Sequence, residues 1–204
     1  MRSVVTFLGL LLTMLLPFEA SAQDRDRADW DKSVFFFGGV FTAKGAEFLL
    51  HPWATEFEDN FIGGAGVSYH PFQPILGGLR AGLEAGVAIR GGLNAVPSLE
   101  GWLGVNLRYD GIVLGPVRVS PSMTAGFSAV TGTMGVEAQR ERDAVGGGDA
   151  HLLFYLGPEL NLSLVDAPDY EAFVRLQHRS GGNTTLGNMY DGANALVGGV
   201  RYHF

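Results

Sequence analysis

Residues 152–164 read LLFYLGPELNLSL. Leucine or phenylalanine fills nearly every second position, and small or polar residues stand between them at Gly157, Glu159, Asn161 and Ser163. A period of two predicts a β-strand with one apolar and one polar face, because successive side chains point to opposite sides of a sheet. Polar residues confined to one face are typical of the wall of a membrane barrel, where a charge facing lipid is costly.

Related patterns recur along the chain and favour a closed sheet. The predicted strands cover residues 33–42, 60–69, 79–90, 99–109, 112–129, 150–165, 170–179 and 193–204. The longer connections, at 43–59, 91–98, 130–149 and 180–192, alternate with shorter ones. External loops alternate with short periplasmic turns in this way in outer-membrane barrels. The sequence therefore predicts an all-β fold, an eight-stranded antiparallel transmembrane β-barrel.

The N-terminus has the three parts of a secretory signal peptide. A basic start at Met1-Arg2 leads into an apolar run and then into the small residues Ala20-Ser21-Ala22. We expect a signal peptide at 1–22, a periplasmic lead at 23–32 and the barrel at 33–204. The chain is predicted to be exported, and it has no further apolar run long enough for a spanning helix. Together with the strand pattern, this predicts a location in the outer membrane of a Gram-negative type of cell.

The last residue, Phe204, sets the phase of the final strand. If its ring faces lipid, Tyr202 and Val200 face lipid as well, whereas Arg201 faces the lumen. The charged residues predicted to face the lumen are Arg80, Glu84, Arg90, Glu100, Arg108, Glu159, Glu171, Arg175 and Arg201. Side chains fill a barrel of this size, so we expect these charges to pair and disfavour transport through a pore.

Composition excludes several classes of function. The formal net charge of −7 argues against a nucleic-acid partner, which needs clustered lysine and arginine. The absence of cysteine from the sequence excludes disulfides, thiolate metal sites and cysteine nucleophiles. The histidines show no spacing typical of zinc ligands, so no metal site is predicted.

His178 and Ser180 form the candidate catalytic pair. They stand two residues apart at the outer end of the predicted strand 170–179, in phase with Val174 and out of phase with Arg175. Both are therefore predicted to face lipid. An imidazole beside a hydroxyl is the minimum requirement for base-activated attack on an acyl carbon.

Neighbouring residues can complete such a site. Asn194, on the last strand, shares the lipid-facing phase of Phe204 and is placed to hold the imidazole in one tautomer. The backbone N–H groups of Gly181, Gly182 and Asn183 directly follow the serine and form the candidate oxyanion site. Serine chemistry of this kind needs neither a metal nor a cofactor, and none is expected.

The C-terminal quarter resembles the PagL-type lipid A 3-O-deacylase family. The resemblance lies in His178-Arg179-Ser180-Gly181-Gly182, a Gly/Asn-rich loop, Asp191-Gly192 and a last strand ending in Phe204. That family consists of eight-stranded outer-membrane barrels that remove an ester-linked acyl chain from lipid A. The resemblance implies Ser180 as nucleophile, His178 as general base, and lipopolysaccharide in the outer leaflet as the partner.

The chain departs from the family pattern at two positions. Gly181 follows the serine where the family usually has asparagine, and the family's acid falls on Asn194, which carries no charge. Asp191, in the preceding loop, is the fallback acid. The alternative interpretation is a non-catalytic small outer-membrane barrel with a structural or surface-binding role. Pairing with a second copy of the chain stays open in either case.

Overall fold

A computed structural model describes residues 31–43, 56–72, 74 and 77–204. The predicted signal peptide and most of the predicted lead at 23–32 lie outside these residues. Only Asp31 and Lys32 of that lead are described, and Lys32 already belongs to the first strand.

Nine strand segments and one helix make up the described fold. They are β1 (Lys32–Thr42), β2 (Phe57–Tyr69), β3 (Leu79–Gly92), β4 (Ala95–Tyr109), β5 (Ile112–Leu114), β6 (Val117–Val130), α1 (Gly135–Asp143), β7 (Leu152–Leu164), β8 (Ala167–Ser180) and β9 (Asn194–His203). Among these residues, no helix is long and apolar enough to cross a membrane.

The strands close into an antiparallel barrel. β1 pairs with both β2 and β9, and β4 pairs with both β3 and β6. Every strand of the wall therefore has a partner on both sides, and the sheet has no free edge. β5 pairs only with β6 and forms a short hairpin at the turn after β4. The wall therefore has eight strands, and the predicted fold class is confirmed. The predicted strand 112–129 divides at Gly115, whose φ of +60° makes a turn that glycine adopts without strain.

The two faces of the wall alternate as predicted. On β9, Tyr202 and Val200 are exposed while Arg201 and Val197 are buried, which confirms the phase set by Phe204. All nine charged residues predicted to face the lumen are buried. Large apolar side chains cover the exterior, as a surface in contact with lipid requires.

Side chains fill the lumen. Arg175 lies near its centre and donates hydrogen bonds to Glu84 (2.8 Å) and Glu159 (2.7 Å). Arg201 donates to Glu159 at 2.8 Å, and its guanidinium lies over the Phe35 ring, 4.6 Å from the ring centroid. The predicted pairing of lumenal charges is confirmed. A lumen packed in this way leaves no room for an aqueous pore.

One predicted loop is wrong. Residues 91–98 were expected to form an external loop, but β3 runs to Gly92 and β4 starts at Ala95, leaving a two-residue turn. Pro97, which lacks a backbone N–H, is tolerated because it lies at a register shift between β3 and β4, and β4 pairs with β6 only from Glu100 onward.

Candidate active site

The outer end of β8 presents His178 and Ser180 on the exterior of the barrel. The intervening Arg179 and the preceding Gln177 are buried in the lumen, with 1% and 2% of their surfaces exposed. Because side chains alternate along a strand, His178 and Ser180 point the other way, and both are half-buried. The structure thus brings the two predicted residues to one face.

Asn194 contacts the imidazole. It begins β9 directly opposite His178, and its Oδ1 atom lies 2.6 Å from His178 Nδ1. An amide oxygen only accepts, so Nδ1 carries the proton and donates it, which leaves the lone pair on Nε2. Asn194 is 1% exposed, and its Nδ2 atom has no hydrogen-bond partner.

Ser180 lies at the last pairing of β8 with β7, opposite Phe154. Within the described part of the chain, its hydroxyl makes no hydrogen bond, and none joins it to His178. The serine is therefore not held by another side chain. In the absence of substrate, catalytic hydrogen bonds are often long or unformed, and they tighten when the substrate binds.

The segment after the serine has an unusual backbone. Gly182, Asn183 and Thr184 have φ values of +62°, +61° and +68°. Positive φ is rare for a non-glycine residue and exceptional for a β-branched one such as Thr184. The chain also passes so close to itself that a Cβ at Gly181 would collide with the Met189 carbonyl oxygen. Only glycine fits at 181.

This backbone leaves donors available. Thr184 N–H donates to the Met189 carbonyl at 3.0 Å, and the Gly181 carbonyl accepts from Leu186 N–H at 2.8 Å. By contrast, no described residue accepts a hydrogen bond from the N–H groups of Gly181, Gly182 or Asn183. Successive free N–H groups are the kind of backbone feature that binds an anion. These are the three residues that the sequence assigned to the oxyanion site.

Asp191, the fallback acid, has other partners. Its carboxylate lies 3.2 Å from the Arg140 guanidinium and accepts a hydrogen bond from the Gly192 N–H at 3.0 Å. The structure thus brings Asn194 to the imidazole and holds Asp191 against α1. The ring of His178 contacts no carboxylate among the residues described.

The site lies on an apolar surface near the outer boundary of the membrane. Below His178 and Asn194, on the same phase of the two strands, lie the buried Leu176, its half-buried partner Leu196 and then the exposed Val174. The eight residue-to-residue steps from Tyr202 to Asn194 span roughly 20 Å along the barrel axis at ~3.3 Å per step and a tilt near 40°. Since the apolar band of such barrels is about 25 Å tall, the imidazole lies close to its outer edge.

One further group of possible ligands lies outside the site. Glu141, Asp149 and His151 have ligand-type atoms within 4.8 Å of one another. Their partners are already protein groups: Glu141 accepts from Ala150 N–H and the Thr133 hydroxyl. The main-chain N–H and the ring of His151 both hydrogen-bond Asp149 and hold the pKa of that carboxyl below its usual value. Sequence spacing gave no indication of this group.

Sequence reasoning missed the contacts that fix Arg179. This residue was treated only as the spacer between histidine and serine, but its guanidinium pairs with Glu137 of α1. Alternation of apolar and polar residues around Arg179 signalled its inward direction. No local signal identified Glu137 as its partner, because the two residues are 42 positions apart.

Comparison with known proteins supports the architecture. No family model and no curated protein matches the chain. The structure is similar to that of the outer membrane enzyme PagL, with a TM-score of 0.57 and 13% sequence identity over 83% of this chain and 98% of that one. It is also similar to Neisserial surface protein A, with a TM-score of 0.50 and 14% identity over 85% of this chain and 97% of that one. The chain has the fold of Gram-negative outer-membrane barrels, and its apolar exterior fits that membrane.

Proposed function

We propose that the protein is an outer-membrane serine esterase of the PagL type, which removes an ester-linked acyl chain from lipid A at a site on its lipid-facing exterior. The observation that carries this proposal is the 2.6 Å contact between Asn194 Oδ1 and His178 Nδ1. It fixes the tautomer in which Nε2 is free to act as a base, with Ser180 on the same face of the barrel.

The proposed chemistry proceeds in two steps. His178 Nε2 takes the proton of the Ser180 hydroxyl as Oγ bonds to the ester carbonyl carbon, and the sugar oxygen then leaves with that proton as the C–O bond breaks. A water molecule, deprotonated by the same nitrogen, attacks the acyl-serine, releases the fatty acid and returns the proton to Oγ. Neither step uses a metal or a cofactor.

The carbonyl oxygen gains negative charge in both steps. The unpaired N–H groups of Gly181, Gly182 and Asn183 follow the nucleophile directly and are the donors that we assign to that oxygen. Loss of one such donor costs other enzymes about 100- to 1,000-fold in turnover. The positive φ values of Asn183 and Thr184 are backbone strain of the kind that clusters at functional sites, and they support this assignment.

The surroundings of the pair suit a lipid substrate. The apolar exterior below the imidazole provides Leu196 and Val174 as contacts for an acyl chain. The ester of an outer-leaflet glycolipid lies at the boundary between its acyl chains and its sugars, which is the level of His178. Lipid A in the outer leaflet is therefore the substrate class that we assign to this site.

Asn194 sets the expected rate. Its amide oxygen orients the imidazole but cannot stabilise the imidazolium that forms during attack, as a carboxylate does. The activity is consequently expected to lie below that of an enzyme with an acid at this position. Asp191 cannot supply the missing charge while it is held by Arg140.

The test is mass spectrometry of lipid A from cells that express the wild type or Ser180→Ala. We expect loss of one acyl chain with the wild type and intact lipid A with the variant, at equal amounts of folded barrel. Intact lipid A in both cultures would refute the enzyme assignment.

A second candidate is a non-catalytic small barrel with a structural or surface-binding role. The neutral Asn194 favours it, since an esterase that has lost its activity can keep the fold without a carboxylate beside the histidine. The fold similarity to Neisserial surface protein A is compatible with such a role. This candidate predicts that Ser180→Ala changes neither lipid A nor any other hydrolytic product.

A further inference from the structure

We infer that α1 is a clamp that holds the outer end of β8 and the start of β9 in place, and that Glu137 and Arg140 are positioning residues for His178, Ser180 and Asn194. This inference rests on the proposed function for its catalytic meaning. Its structural content stands separately on the contacts of the helix.

The first contact is made through Arg179. Its Nε donates to the Ser128 hydroxyl at 3.0 Å, and its Nη2 donates to the Ala150 carbonyl at 2.8 Å. Its Nη1 donates to the Glu137 carboxylate of α1. The guanidinium is thus bound by β6, by the residues before β7 and by the helix. Because Arg179 is fixed inward, the residues on either side, His178 and Ser180, are held outward.

Glu137 bridges two arginines at the mouth of the barrel. It is 2% exposed and accepts hydrogen bonds from Arg179 through one oxygen and from Arg90 through the other. Arg90 also lies 3.5 Å from Glu100. Removal of the Glu137 charge would leave two buried guanidinium groups short of one partner, which is unfavourable. The helix therefore supplies one of the two carboxylates, with Glu100 of β4, that neutralise the two arginines at this mouth.

The second contact is made through Arg140, one turn further along the helix. Its Nη1 donates to the Gly192 carbonyl at 2.6 Å, and its Nη2 lies 3.2 Å from Asp191. Gly192 N–H in turn donates to the Arg179 carbonyl at 3.0 Å, and Arg179 N–H donates to the Ala193 carbonyl at 2.8 Å. The helix therefore holds Arg179 by its side chain and, through Gly192, by its main chain.

The two contacts converge on the proposed machinery from both strands. Arg179 stands between the base and the nucleophile, and Gly192 stands two residues before Asn194. The side chains of Glu137, Arg140 and Arg179 make no hydrogen bond to those of His178, Ser180 or Asn194, so their effect on catalysis is through the placement of these three side chains. This also gives Asp191 its role, which is to pair with Arg140 rather than with the imidazole.

Amide hydrogen exchange of the folded full barrel in detergent micelles tests the clamp without reference to activity. Glu137→Gln and Arg140→Gln should each raise the exchange rate of the hydrogen-bonded amides of Thr184, Leu186, Met189 and Gly192 by about tenfold, because the contact with α1 is lost. The controls are Asp143→Asn and Arg142→Gln, which change the same charges at exposed positions of the same helix. Unchanged exchange in both Glu137→Gln and Arg140→Gln would overturn the inference.

Kinetics test the positioning role. Glu137→Gln and Arg140→Gln should lower kcat by about 10- to 100-fold and leave KM nearly unchanged, since misplacement of reacting groups by about 1 Å has effects of this size. Equal losses in the two control variants, or a normal kcat despite faster exchange, would overturn it. Arg140→Gln keeps the buried mouth intact, so a folding failure of Glu137→Gln does not remove the test.

The two proposals fail differently. A wild type with no deacylase activity removes the proposed function, and the exchange comparison still decides whether α1 holds residues 178–194. An active wild type with unaltered exchange in the clamp variants removes the clamp and leaves the esterase.

Discussion

Asn194 Oδ1 accepts a hydrogen bond from His178 Nδ1 at 2.6 Å, across the outermost pairing of the last two strands. Asn194 thus occupies the position of the residue that orients the histidine in a catalytic triad, but it carries no charge. An uncharged orienter fixes the tautomer, which is needed for proton transfer, but it leaves the developing imidazolium unstabilised. The chemistry of this site is therefore expected to be limited by one functional group.

Asn194→Asp is expected to raise kcat for deacylation by at least about tenfold, because a carboxylate at this position stabilises the imidazolium. Turnover is measured on lipid A in mixed micelles.

Asn194→Ala is the matched control, and it should lower kcat because the imidazole loses its orienting partner. Equal activity of the Asp, Asn and Ala forms would show that position 194 does not act on His178. A loss of activity in Asp191→Asn, by contrast, would show that Asp191 in the loop is the acid.

Gly181→Ala is expected to reduce activity strongly and leave the barrel folded. A methyl group at 181 meets the Met189 carbonyl oxygen, so the segment that carries the proposed oxyanion donors must move. Loss of one donor costs about 100-fold or more in kcat. Gly38→Ala is the control, because its nearest neighbour to an added Cβ lies 3.9 Å away. Normal turnover by Gly181→Ala would exclude this segment from the reaction.

Most of the barrel could be predicted because it obeys a local rule. Alternation with a period of two is written into each strand, and it predicted the phase of Arg175, His178 and Tyr202 without knowledge of their neighbours. Closure was predicted because a sheet in a membrane leaves no edge unpaired, and an even number of strands lets an antiparallel sheet close on itself. The loop predicted at 91–98 is wrong because β3 and β4 stay paired up to a two-residue turn, across a register shift next to Pro97 that interrupts the alternation.

The site was predictable as far as the strands fix it. Pairing of β8 with β9 places Asn194 opposite His178, and the phase of each strand was visible in the sequence. The clamp was not predictable in this way. A nine-residue polar helix has no apolar stripe that would predict how it packs. The role of Glu137 depends on its ion pairs with Arg90 and Arg179, which lie in distant segments of the sequence.

Arg175→Met is expected to destabilise the barrel by about 3–5 kcal/mol, because it removes the cation that two buried carboxylates share and leaves only Arg201 to pair with both. Arg175 is 1% exposed and pairs with both Glu84 and Glu159. The free energy of unfolding is measured by urea titration in lipid vesicles, and Arg142→Met serves as the exposed control. A loss below that of the control would show that the lumenal charges do not stabilise the barrel.

His70 is expected to make stability depend on pH. It follows β2 outside the spanning segment, is buried, and its ring lies 2.8 Å from Asn106 Oδ1. Burial lowers the pKa of His70 to about 4, against a raising effect of the Asn106 hydrogen bond and with further lowering by Arg108 and Arg80. The folded barrel thus keeps this ring neutral at a pH where the unfolded chain protonates it.

The sign follows from proton linkage. Between pH 6.5 and 4 the unfolded state binds the extra proton, so stability falls as the pH falls through this window and levels off below it with respect to this group. At 1.36 kcal/mol per pKa unit, the full loss is about 3 kcal/mol, of which roughly 2 kcal/mol is present at pH 5.

Other carboxylates titrate in the same range, so a variant must isolate the histidine. His70→Gln can keep the hydrogen bond to Asn106 and cannot be protonated, and the difference between its unfolding free energy and that of the wild type should therefore grow by about 2 kcal/mol from pH 8 to pH 5. Parallel pH curves for wild type and His70→Gln would show that the His70 ring is protonated as readily in the folded barrel as in the unfolded chain.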